Sequence, residues 1–122
     1  MFEILPESDG GILAIETRGK LTHAAYAALK PEPERRIAAH GNLNALFDIT
    51  DFDGWHIRGA WDDFALGMEH IGGFERIAVV GAARRQDFAI DLAAAVTRAD
   101  VRFFQKTKRR QAWDWVRGAP SP

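Results

Sequence analysis

The chain has no cysteine, which excludes disulfides, thiolate metal sites and any mechanism that begins with a thiol nucleophile. Its only serines are Ser8 and Ser121, neither in a strand-to-helix elbow, so serine-based acyl transfer lacks its central part. No run approaches the ~20 apolar residues that span a bilayer. The opening stretch MFEILPESDGG has neither the basic region nor the apolar run of a signal peptide. Internal repeats and low-complexity tracts are missing as well. These absences lead to the expectation of a soluble, cytoplasmic protein.

What is present is apolar mass: 47% of 122 residues are hydrophobic, enough for one core and one domain. We expect that domain over residues 1–117, with 118–122 as a flexible tail. The net charge of -1 hides a polarity. Between Arg98 and Arg117 there are seven basic and two acidic residues, so this end carries +5 and the rest about -6.

The pattern of apolar positions predicts alternating strands and helices. Phe2 to Leu5 and Gly11 to Arg18, joined by SDGG, read as a hairpin. Thr22 offers an N-cap to a helix with Tyr26, Leu29 and Ile37 at helical spacing and Gly41 as its stop, with a kink or break expected at Pro31 and Pro33. LNALFDI, residues 43–49, reads as a buried strand ending at Asp48. Trp61, Phe64, Ala65, Met68 and Ile71 define the core face of a second helix, which Gly72 and Gly73 end. FERIAVVG, residues 74–81, has the continuous apolar run of a central parallel strand. A third helix around Gln86 to Val96, a strand at 101–105 and a last helix carrying Trp113 and Val116 complete the order β-β-α-β-α-β-α-β-α. The layer rules make this an α/β domain with a mixed, mostly parallel five-stranded sheet and helical crossovers.

That order, together with GKLTHAAYAAL, LFDITDFDGW, AWDDF, FERIAVVG and the closing VRFF and QAWDW, resembles the SpoIIAA-like family of small bacterial proteins, relatives of the STAS domains. The likeness runs from about Ile12 to Val116. It implies a STAS-type fold, a relation to lipid-carrying CRAL-TRIO domains, and a role in binding a nonpolar ligand or associating with membranes. It implies no known reaction.

The stretch DITDFDGWHIRGAWDDF, residues 48–64, gathers five aspartates, two tryptophans and a histidine. Asp48-Ile49-Thr50 is similar to the turn that precedes the phosphorylated serine of STAS anti-sigma-factor antagonists, but residues 56–60 read HIRGA and supply no serine. Thr50 is the substitute phosphoacceptor, in a repulsive neighbourhood of Asp48, Asp51 and Asp53. An EF-hand alignment on Gly54 puts Ile49 and Ala60 where carboxylates are required, so that pattern fails. Asp51, Asp53 and His56 would be the working groups of a small hydrolase. Gly54 and Gly59 bracket Trp55 and Ile57, which suggests instead that residues 50–59 form a lid over a cleft at the carboxyl ends of the strands.

Two further features need an explanation. In the third helix Phe88, Leu92, Ala95 and Val96 share one face while Ile90, Ala93 and Ala94 decorate another, and such surplus is covered by a ligand, a lipid surface or a homodimer partner. KTKRR, residues 106–110, opens the last helix against its dipole. Anionic lipid would reward Lys106, Lys108, Arg109 and Arg110 there, with Trp115, off the core face, as an interfacial anchor. The near-neutral total charge and the lack of any nucleic-acid-binding motif argue against nucleic acid.

The leading expectation is a non-enzymatic module for a nonpolar or amphipathic small molecule or lipid, peripheral at the inner face of the membrane. Trp55, Trp61, Phe64, Met68 and Phe88 supply its apolar walls, and Arg58, Arg84 and Arg85 pair with a polar head. No catalytic residue, metal or cofactor is assigned. The alternatives are a STAS-like regulatory protein-interaction domain and the hydrolase.

Overall fold

Ten apolar or small side chains on strands 43–49 and 74–81 are withdrawn from solvent, and the rest of the fold is arranged to cover them. A computed structural model describes residues 2–5, 11–21, 24, 27–28, 31–55, 73–82, 86–95 and 99–118. The strands are β1 (Phe2–Ile4), β2 (Ile12–Leu21), β3 (Leu43–Trp55), β4 (Phe74–Gly81) and β5 (Asp100–Gln105), and they lie in that order across one sheet. β1 pairs antiparallel with β2, as a hairpin requires, and every other pairing is parallel. The expected α/β fold with a mixed, mostly parallel five-stranded sheet is therefore the observed one.

Helices cover both faces. We label them α1 (Pro31–His40), α2 (Gln86–Ala95) and α3 (Arg109–Val116), the last preceded by a short 3-10 turn, Lys106–Lys108. Parallel strands laid down in one direction with crossovers of one hand put the connecting helices on one face. Accordingly Ile37 of α1 and Ala89 and Leu92 of α2 pack against Leu13, Ile15, Phe47, Ile49, Ile77 and Val79. α3 folds back onto the opposite face, where Ala112, Trp113, Trp115 and Val116 meet Ala14, Leu46, Ala78 and Val80. Each fully buried Leu, Ile or Val here contributes about 1.5–3 kcal/mol of transfer free energy.

The break expected at Pro31 and Pro33 falls where a helix begins: α1 starts at Pro31, and both prolines lie in its first turn, where the missing amide is no loss and the fixed φ suits the helix. Residues 24, 27 and 28 are helical too. At its other end Gly41, with φ of 87°, donates its amide to the Ile37 carbonyl at 2.7 Å, the expected left-handed stop. In β2, Leu13, Ala14 and Ile15 are all buried, because helices lie on both sides of it.

One expectation needs correction: β3 does not end at Asp48 but continues to Trp55. Residues 50–55 are thus strand, not the hinge half of a lid. β3 carries one more residue than β2 between the pairs Glu16–Asp48 and Arg18–Asp51, and again one more between Gly19–Phe52 and Lys20–Gly54. Such bulges bend and twist a strand while keeping it paired. Aspartates and Gly54 read as loop because bulges tolerate the residues that turns prefer.

Candidate functional site at the carboxyl edge of the sheet

β3, β4 and β5 run in the same direction, so their carboxyl ends share one edge, which in open α/β sheets is where ligands are taken. Asp48 lies opposite Val80 at this edge, and Gly81 lies opposite Gln105. Asp48 points to the α3 side and is the one buried charged residue among those described, 5% exposed. Its Oδ1 accepts the Thr50 amide at 3.0 Å, which closes the first bulge locally. Its Oδ2 meets Arg109 Nη1 at 3.0 Å. With one partner on each oxygen, Asp48 holds the first residue of α3 against the middle of β3.

Around this pair the edge is basic. Lys106, Lys108 and Arg110 are exposed, and Arg109 is partly so, with 37% of its side chain in solvent. No acidic side chain occupies the first turn of α3, and Lys108 at its N-cap makes no side-chain cap. Among the described residues Asp48, reaching over from β3, is the acidic side chain that balances the positive helix end.

The far end of α3 is fastened as firmly. Asn44 Nδ2 donates to the Val116 carbonyl at 2.7 Å, and Arg76 Nη1 donates to the Trp115 carbonyl at 2.6 Å. Asn44 Oδ1 accepts the Arg76 amide at 3.1 Å, so the two side chains brace each other. Gly118, with φ of 83°, donates to the Trp115 carbonyl and Arg117 to that of Trp113, which satisfies the last turn. Arg76 also brings a cation to the negative end of the helix.

Trp115 is not an interfacial anchor. It is 6% exposed, with the guanidinium carbons of Arg102 and Arg76 at 5.1 and 5.5 Å from its ring centroid and the Phe104 ring at 5.9 Å. Cation–π contact and the width of the tryptophan ring let it close the gap between α3 and the β4–β5 pair. Trp115 lies off the face that helical spacing assigns to the core, but its ring reaches round to the sheet.

Thr50 is half-buried beside Asp48. Asp51 is exposed and lies opposite Arg18. The hydrogen bond and charge of Glu16 raise the Arg18 guanidinium above its ordinary value, with a smaller contribution from Asp51. Arg58, Trp61, Phe64, Met68, Arg84 and Arg85, and likewise His56, lie outside the described residues, as do the side chains of Asp53, Trp55 and Phe88. Ile90, on α2, is the large apolar residue most in solvent among those described, at 62%. The contributions of Asn44, Arg76 and the Asp48–Arg109 pair were not expected. A charged residue closing the apolar run LNALFDI and a lone asparagine inside it were the available signals.

Comparison with known proteins supports the architecture. The family model described as SpoIIAA-like matches residues 12–117. Among solved structures, an uncharacterized protein from the DUF3478 family with a SpoIIAA-like fold, from Shewanella loihica PV-4, is 34% identical over 95% of this chain and 92% of that one, with a TM-score of 0.68. The anti-sigma factor antagonist SpoIIAA in its unphosphorylated form is 14% identical over 97% and 99% of the two chains, with a TM-score of 0.64, a likeness of fold alone. Among curated proteins none matches.

Proposed function

Because this chain belongs to the SpoIIAA-like family, we propose that it is a non-enzymatic binding module for an amphipathic ligand with an anionic head, taken at the carboxyl edge of the sheet and at an anionic membrane surface. The observation that carries this reading is the placement of Lys106, Lys108, Arg109 and Arg110 around the start of α3, at the edge where β4 and β5 end and β3 runs on past Asp48. Positive charge there opposes the helix dipole, and among the described residues an acidic side chain, Asp48, pairs with one of the four. An external anion rewards the other three. The apolar part of the ligand is assigned to Trp55, Trp61, Phe64, Met68 and Phe88, with Arg58, Arg84 and Arg85 beside the head. No helix among the described residues is long and apolar enough to cross a membrane, so the association proposed is peripheral.

The test is co-sedimentation with vesicles of anionic or neutral lipid at low and high salt. Binding to anionic vesicles that weakens with salt is expected, and Lys108→Glu with Arg110→Glu should lower partition at least 30-fold, since each basic residue near the surface is worth ~1 kcal/mol. Trp115→Phe should leave binding unchanged. Absence of binding to anionic vesicles, together with no lipid in an organic extract of the purified protein, sinks the proposal. The second reading would then lead: a regulatory protein-interaction domain, favoured by the fold shared with an anti-sigma factor antagonist, with Thr50 as its phosphoacceptor.

A further inference from the structure

The two borders of the sheet differ. β1 is three residues long, whereas β5 offers six residues, Asp100–Gln105, whose outer side meets no further strand among the described residues. An unpaired edge of this length is a template for another strand unless its side chains forbid it. Here they are mixed: Val101, Phe103 and Phe104 are only half-buried, Asp100 and Arg102 are exposed, and Lys106 follows directly. α2 packs over β5 on one face and carries the exposed Ile90.

From this edge we infer that the protein forms a homodimer in which β5 pairs antiparallel with β5 of a second copy, the twofold axis passing through Phe103. Charge selects this register. In a twofold antiparallel pair, opposed residues lie on the same face with side chains about 5 Å apart. Centring the axis on Arg102 sets two guanidiniums against each other, and centring it on Phe104 opposes Arg102 with Lys106. Centring it on Val101 does oppose Asp100 with Arg102, but it leaves the strand from Phe103 onward outside the β5–β5 pairing.

With the axis on Phe103 every pair is favourable. Phe103 meets Phe103, Arg102 meets the ring of Phe104, Val101 meets the stem of Gln105, and Asp100 meets Lys106, the last three occurring twice by symmetry. Among the described residues Asp100 makes only a loose contact within its own chain, 4.0 Å to Arg102, which leaves it to meet Lys106 of the second copy. An axis normal to the sheet also keeps faces matched, which sets the two α2 helices on the same side of the joined sheet and gives Ile90 apolar cover. Lys108, Arg109 and Arg110 take no part in the pairing.

The inference shares Lys106 with the lipid reading but does not rest on it, and its test contains no lipid. Sedimentation equilibrium of the full chain over a wide concentration range should show a monomer–dimer equilibrium; a monomer at the highest attainable concentration overturns the proposal. Lys106→Glu and Asp100→Lys each oppose like charges at both symmetry-related pairs, and each should weaken self-association about tenfold. Mixing the two variants should restore it in the heterodimer, where both pairs are again attractive. If the wild type dimerises but neither variant weakens it, or mixing restores nothing, this edge and register are wrong. Both residues are exposed, so circular dichroism should report an unchanged fold throughout.

Discussion

Replacing Arg109 by methionine should destabilise the fold much more than replacing its partner Asp48 by asparagine. At 3.0 Å the gross attraction of the pair is about 5–6 kcal/mol at an effective dielectric of about 20, and desolvation of Asp48, 5% exposed, offsets much of it. The two truncations differ in what they leave behind. Arg109→Met strands a buried carboxylate whose remaining partner is the Thr50 amide, at a cost of about 3 kcal/mol. Asp48→Asn keeps an acceptor for that amide and leaves a guanidinium that already reaches water, at a cost of about 1 kcal/mol. The double variant should cost about 1–2 kcal/mol, well below the sum, because the stranded charge is gone. Urea denaturation at one fixed protein concentration measures all four proteins, and a loss of about 3 kcal/mol moves the midpoint by roughly 1 M or more. Equal costs for the two single variants, or additivity in the double, would show that Asp48 and Arg109 do not act as a buried pair and would refute the reasoning.

Two further outcomes follow from close contacts elsewhere. A Cβ at Gly73 would lie 2.7 and 2.8 Å from Ile37 Cγ2 and Cδ1, so Gly73→Ala should cost about 1–3 kcal/mol by overpacking, and adding Ile37→Ala should relieve the clash, so that thermal denaturation finds the costs non-additive. Asn44→Ala leaves the Val116 carbonyl and the Arg76 amide without partners, a loss of about 2–3 kcal/mol, and hydrogen exchange at the Arg76 amide should quicken while the amides of α2 stay protected.

Most of the sheet was legible because its strands announce themselves through apolar runs. FERIAVVG has no polar residue from Ile77 to Gly81, and a strand buried on both faces leaves no other pattern. The same property holds at β2, where Leu13, Ala14 and Ile15 are all covered. Local chemistry also has more than one use. Aspartates that build turns also close bulges, so the extension of β3 required knowledge of the neighbouring elements. The Asp48–Arg109 contact lay beyond reach for a different reason: the two residues are far apart in the chain, and only the return of α3 onto the sheet brings them together. Trp115 shows the limit of helical periodicity on short helices, since a ring of that size finds cover from positions the period assigns to solvent.

The manner in which α3 is secured bears on how the chain is made. Asp48, Asn44 and Arg76 are synthesised well before residues 109–116, which supply their partners. Until those residues emerge, a nascent chain holding the finished strands β2 to β4 keeps Ala14, Leu46, Ala78 and Val80 open to water on one face. At synthesis rates of about 5–20 residues per second, the interval from β4 to the end of α3 is a few seconds of exposed sheet, during which a chaperone or another nascent copy competes with the protein's own last helix.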